Sequence, residues 1–466
     1  MTPETSTASN LSARTKARLI SLGKLHPLVV LGFGILIGAL LTATVLRSPN
    51  ASGEFGLPSH SSLGPPPAPS GSGGGSTGLD RSLNHALNPV PKAGPEAQLL
   101  TVYQTLAEGQ FERADKLSQE LVTKYPNFAL ARMLQADLLA TRAGQPAALG
   151  APVDKASAAQ APNPRRLEAL RRLSARLDRP AAGLVPREFA RLAPDVRTAL
   201  AVDASRSRLY MFRNGPDGLN LVADFYVSVG KAGVSKSAEG DMRTPLGVYW
   251  ITSTLTPQQI RPMFGAGAMG LNYPNAWDRS QGKGGRGLYI HGVPDETLAR
   301  EPYATDGCVV LSNSDYQVLA AEITPTETPV VISESLEWVT PAKAAIPAQA
   351  LEPILAARNA ARSMYASNGE SAWHERNGGF ENLPGYTQAP FNPSSVIGWF
   401  HDETPLLVVT GLQAADDPAR PPMAIRQYWT RREGQWRMVF EGAVPPEVTV
   451  EPPPVAARQR NRNRGA

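Results

Sequence analysis

YIHGVPDETLAREPYATDGCVVLSN, Tyr289 to Asn313, holds the only cysteine of the chain, Cys308, and one of its six histidines, His291, seventeen residues upstream. The runs around the histidine and after the cysteine read as two short strands. His291 ends the first and Cys308 opens the second, and the loop between them can bring both strand ends together. A thiol becomes a nucleophile when a base or a positive field lowers its pKa, and an imidazole beside it gives an ion-pair-like nucleophile at neutral pH. Backbone N–H groups of the tight Asp306-Gly307-Cys308 turn suit an oxyanion. Gly307 suits a turn where backbone approaches a substrate closely. A buried cysteine on a core strand, with His291 merely at a strand end, fits the same pattern.

Outward from this stretch, residues 197–340 keep one texture. ALAVDASRSRLYMFR, LNLVADFYVSVG, GVYWITST, GLYIHGV, GCVVLS and PVVISES are short β-branched or aromatic runs separated by Gly, Pro and Asn turns. They predict a mainly-β domain with short helices between strands, DYQVLAAEIT being one such helix.

Three elements in order resemble the L,D-transpeptidase catalytic domain (YkuD-like) family. VDASRSRLYMF, Val202 to Phe212, matches its usual first strand. GDMRTPLGVYWI, Gly240 to Ile251, matches its Thr-Pro-x-Gly strand start. His291 and Gly292, then Thr305, Gly307 and Cys308, match its histidine-glycine pair followed by Ser/Thr-x-Gly-Cys. The resemblance implies a β-rich enzyme acting on peptidoglycan stem peptides, without metal or cofactor. Cys308 is then the nucleophile, His291 the base and later the acid, and the Gly292 carbonyl orients the imidazole. The Gly307 and Cys308 N–H groups form the oxyanion hole. The bond attacked joins the L-centre of diaminopimelate to D-alanine. An amine acceptor gives a 3–3 crosslink, and water gives LD-carboxypeptidase trimming or hydrolysis of a lipoprotein link. Tyr273, Trp277, Arg300, Thr305 and Asp306 are the expected stem-peptide contacts. Asp306 departs from the pattern, since many members have histidine there. A carboxylate so near a thiolate raises the thiol pKa unless it is paired, and Arg300 is the expected partner.

Residues 345–445 begin with a helical segment, LEPILAARNAARSMYAS. The strand-like runs SSVIGWF, PLLVVTGL, AIRQYWTRR and QWRMVFEG follow. One helix and then antiparallel strands resembles the α+β nuclear-transport-factor-2-like superfamily. The order of a catalytic domain before such a domain is similar to that of cell-shape-determining LD-carboxypeptidases. His374 and His401 have no acid or cysteine partner at motif spacing and read as ordinary histidines.

On the other side, residues 96–190 carry helical periodicity: Leu99, Tyr103 and Leu106, then Ala114, Leu117 and Leu121. Gly109, Phe111, Ala114 and Pro126 sit at the offsets of a tetratricopeptide repeat, which the region resembles and through which a protein partner would dock. A plain helical hairpin packed on the next domain fits equally. The basic run RRLEALRRLSARLDR predicts one more helix. Residues 47–95, rich in Pro, Gly and Ser, form a disordered spacer.

LVVLGFGILIGALLTATVL, residues 28–46, is nineteen residues without a charge, long enough to span a bilayer. Arg14, Lys16, Arg18 and Lys24 precede it and only Arg47 follows closely. The positive-inside rule then puts residues 1–27 in the cytoplasm and everything after 47 outside, as a single-pass inner-membrane protein with a periplasmic catalytic domain. A cleaved signal peptide is the rival, and no clear small-x-small site supports it. With one cysteine there is no internal disulfide, and a lone exported thiol is a liability unless it works. The net charge of +5 forms no basic stripe interleaved with aromatics, which argues against nucleic acid. The arginine-rich end, residues 446–466, reads as a disordered basic tail. A non-catalytic envelope scaffold is the reading of a different class, and it predicts that Cys308→Ala changes nothing.

Overall fold

The computed structural model describes residues 94–143, 164–177, 179–294, 297–298, 300–367, 390–400 and 405–444. The expected membrane segment 28–46, nearly all of the spacer, the tail 446–466, His374 and His401 lie outside these. Among the described residues no helix is long and apolar enough to cross a membrane.

Four helices come first: α1 Pro95–Ala107, α2 Phe111–Lys124, α3 Ala129–Arg142 and α4 Pro164–Leu177. Their apolar residues recur three and four apart, so each helix presents one stripe to its neighbours. Leu99, Val102, Leu106, Leu121, Leu134 and Leu138 close a small core of their own, joined by Ala169 of α4.

The chain then builds its main sheet. The strands are β1 Val185–Pro186, β2 Thr198–Asp203, β3 Arg208–Gly215, β4 Gly218–Tyr226, β5 Val229–Gly230, β6 Gly247–Leu255 and β7 Ala268–Leu271. After the short helix α5 Ala276–Ser280 come β8 Tyr289–His291, β9 Tyr303–Thr305 and β10 Val309–Val310. Helix α6 Asn313–Ala320, β11 Pro329–Ser333 and β12 Trp338–Val339 complete this part. Eight strands pair in the order β10-β8-β7-β6-β11-β2-β3-β4. β10 runs parallel to β8 and β11 parallel to β2, while the other neighbours are antiparallel. The central strands β2 and β11 are buried at every residue, which is why TALAVD and PVVIS alternate so little. Asp203 turns the chain from β2 into β3. One carboxylate oxygen accepts from the Ser205 hydroxyl at 2.7 Å and the Arg206 N–H at 3.0 Å, and the other accepts from the Leu336 N–H. Helix α6 starts two residues before the DYQVLAAEIT run because Ser312 caps it, accepting from the Asp315 N–H.

Helix α7, Pro341–Ser367, starts ten residues earlier than the LEPIL segment suggests and carries Pro347 and Pro353 inside it. After it, β13 Phe391–Trp399, β14 Leu406–Gln413, β15 Met423–Arg432 and β16 Gln435–Ala443 form an antiparallel meander in sequence order. The run LLVV in β14 is apolar at every position because this sheet is covered on both faces. Leu407 and Val409 pack with Leu351 and Leu355 of α7. Leu406 and Val408 join the core of the main sheet.

Candidate active site

β8 and β10 are adjacent and parallel, with Ile290 beside Val309 and His291 beside Val310. Cys308 immediately precedes β10, so the pairing of two strands carries the thiol and the imidazole to one edge of the sheet. Cys308 and Phe264 pack against the same small cluster of Leu255, Ala268 and Tyr289. The Phe264 ring meets the His291 ring edge-on, centroids 4.6 Å apart.

The imidazole is buried. Its Nδ1 lies 2.6 Å from the Gly292 carbonyl oxygen, which can only accept, so Nδ1 carries the proton and Nε2 is left as the base. Glycine at 292 has a steric reason. A Cβ there would lie 2.3 Å from Asn313 Oδ1, the oxygen that accepts the Ala266 N–H at 2.9 Å and the Val293 N–H at 3.0 Å.

The turn before the cysteine is held from two sides. Thr305 Oγ1 accepts from the Gly307 N–H at 3.1 Å and donates to the Cys308 carbonyl at 2.7 Å. From the Thr-Pro-x-Gly element, the buried Thr244 hydroxyl donates to the Gly307 carbonyl at 2.8 Å and accepts from the Gly230 N–H at 2.9 Å. Gly307 has φ +127°, and a Cβ there would lie 2.7 Å from the Arg243 carbonyl oxygen. The Gly307 N–H, expected in the oxyanion hole, is thus engaged by Thr305.

Two further expectations change. Asp306 pairs with Lys231, Nζ to Oδ1 2.9 Å, and not with Arg300. Both side chains are exposed and the lysine lies close at hand on the loop after β5. The surroundings of the thiol and imidazole also disfavour an ion pair at rest. Burial pushes the His291 pKa down to about 4, against the Gly292 carbonyl and aided by the positive charge of Arg300. Burial pushes the Cys308 thiol up to about 11, with Asp306 adding to it. The Tyr289 backbone, Lys236 and Arg300 pull the other way. The low-dielectric pocket favours a neutral pair.

Arg300 therefore acts on both reactive groups through its charge. Its carbonyl accepts from the Tyr226 hydroxyl at 2.9 Å. Tyr273 and Trp277 are elsewhere. Tyr273 is buried, stacks edge-on to Tyr249 and donates to the Gly284 carbonyl at 3.0 Å. Trp277 is half-buried on α5 against the main core. Sequence reasoning assigns no role to Phe264, Asn313 or Thr244, although Thr244 lies inside the Thr-Pro-x-Gly element and Asn313 ends the stretch around the cysteine.

Residues 197–332 match the family model of YkuD, the L,D-transpeptidase catalytic domain. The YkuD match covers the main sheet from β2 to β11 and includes every residue of the thiol site. No curated protein matches the chain. Among solved structures, Bd1075 of Bdellovibrio bacteriovorus is similar at 20% identity and TM-score 0.45, covering 56% of this chain and 98% of that one. The helical cell shape determining protein Pgp2 of Campylobacter jejuni is similar at 18% identity and TM-score 0.40, covering 57% of this chain and 95% of that one.

Proposed function

We propose that the YkuD domain cleaves the diaminopimelate–D-alanine bond of peptidoglycan stem tetrapeptides through a Cys308 acyl-enzyme and passes the acyl group to an amine, as an L,D-transpeptidase. The observation that carries this is the His291 imidazole, fixed by the Gly292 carbonyl at 2.6 Å, on the strand next to the cysteine. Nε2 takes the thiol proton as Sγ attacks the carbonyl carbon, so charge develops only as the bond forms. The Cys308 N–H is the donor we assign to the oxyanion. His291 then gives its proton to the departing D-alanine amine, leaving a thioester. An acceptor amine displaces Sγ, the thiol regains its proton, and a 3–3 crosslink results. Water in place of the amine gives a tripeptide.

In the same reading the segment 28–46 anchors the protein in the inner membrane, with the YkuD domain on the periplasmic side. The helical layer α1–α4 is a tetratricopeptide-like partner module, and α7 with β13–β16 is a nuclear-transport-factor-2-like domain.

The test is mass spectrometry of disaccharide-tetrapeptide incubated with the protein and with Cys308→Ala. Loss of D-alanine that requires Cys308 is expected, with dimers as the main product. Tripeptide monomers alone would replace the transpeptidase reading by carboxypeptidase trimming. Equal behaviour of both proteins would end the thiol mechanism. Iodoacetamide should alkylate Cys308 at a rate that climbs toward an apparent pKa of about 11. A plateau already reached at neutral pH would mean a pre-formed ion pair instead.

A further inference from the structure

Between the main sheet and the C-terminal sheet lies a cavity of about 360 Å³, within the size range of small-ligand sites. Trp250, Leu271, Tyr273 and Phe440 give it apolar walls, and it touches none of Cys308, His291 or Arg300. Two arginines, Arg279 and Arg426, and no acidic residue are among its described lining residues.

Arg426 is the unusual member. It is 7% exposed. Its guanidinium lies over the Trp250 ring, 3.6 Å from the centroid, and its neighbour Tyr428 carries no charge at neutral pH. Its Nε is buried with no hydrogen-bond partner. Burial lowers its pKa from the usual arginine value, as expected of a cation facing no counter-charge. A buried guanidinium normally has a carboxylate or phosphate across its fork, because an unpaired buried charge is costly. Arg208 in this same protein shows the ordinary case, with Asp224 accepting from its Nε at 3.0 Å.

We propose that this cavity is a binding site for a small carboxylate, which pairs with the Arg426 guanidinium, with its short apolar part against Trp250, Tyr273 and Phe440. Arg279, exposed at the rim, adds the second positive charge. The site stands apart from the thiol chemistry and does not depend on it.

The probe is N-acetyl-D-alanine, with its uncharged amide as control, added to the whole protein while the arginine Nε–H resonances are followed by NMR. The Arg426 resonance is identified by its loss in Arg426→Lys. A downfield shift of that resonance with the acid and not with the amide is expected, weakened at least tenfold in Arg279→Ala, a surface change that leaves the fold intact. No response of Arg426 overturns the proposal. So does a response to the amide equal to that to the acid, or one indifferent to Arg279→Ala.

Discussion

The two regions that flank the main sheet are attached to it by different balances of charge and apolar contact. The helical layer meets it through buried charge. Arg172 of α4 holds Glu96 of α1 at 2.8 Å and Glu168 at 2.9 Å, and lies over the Tyr226 ring. Arg208 of β3 reaches Glu96 at 3.3 Å and also binds Asp224. Arg171 donates to the Tyr303 and Ser207 hydroxyls. The C-terminal sheet instead lays an apolar face, Ile397, Trp399, Leu406, Val408 and Tyr428, onto the main core. Main-chain bonds cross this second seam as well, from the Arg191 N–H to the Val396 carbonyl at 2.9 Å and from the Gly398 N–H to the Glu188 carbonyl at 2.7 Å, and it keeps a cavity.

The sharpest way to break the contrast is Arg172→Ala. It strands Glu168 and leaves Glu96 with Arg208 alone, and a loss of about 3–5 kcal/mol is expected in chemical denaturation. Hydrogen exchange should rise first in α1 and α4. If α1 and α4 stay protected, the charge network does not hold the layer.

At the other seam, Leu406→Ala should cost less, about 2 kcal/mol, the low end for such a deletion, because slack near the cavity lets neighbours relax. Its effect should not vary with pH. A pH-dependent cost would mean that a titrating group in this seam depends on Leu406.

The smallest change is a slope. In the charged seam Arg172, Arg208 and Arg179 face the carboxylates of Glu96, Glu168 and Asp224. Burial pushes Glu168 up from 4.5 to about 7 even with Arg172 beside it, while Arg172 and Arg208 hold Glu96 below the usual range. Between those two values the folded protein binds more protons at Glu168 than the unfolded chain does. Stability from this group is therefore full below about 4.5 and falls as pH rises to about 7, by at most about 1.4 kcal/mol per pH unit. Glu168→Gln should flatten that slope in urea midpoints measured across the window, and an unchanged slope would place the titrating group elsewhere.

The same contrast explains what was legible in the sequence. The order of strands around His291 and Cys308 could be read because glycine turns and β-branched runs are local. The run PLLVVTGL could be read as a strand, but its burial on both faces depends on what packs against each side. The charged seam was hidden. RRLEALRRL reads as a solvated basic face, and nothing local reveals that Arg172 finds Glu96 seventy-six residues earlier. The partner of Asp306 was missed for the same reason, since Lys231 lies seventy-five residues upstream. The neutral state of the thiol and imidazole depends on burial, which no motif spells out.

Gly292 and Asn313 carry a consequence for how such a site can change over time. The space a side chain would need at 292 is filled by Asn313 Oδ1, and that oxygen serves the N–H groups of Ala266 and Val293. Neither position can drift alone. A lineage that leaves glycine must first surrender the asparagine and, with it, the two backbone bonds that frame the imidazole. The pair is a ratchet, and the histidine beside it inherits that immobility without making any contribution to it.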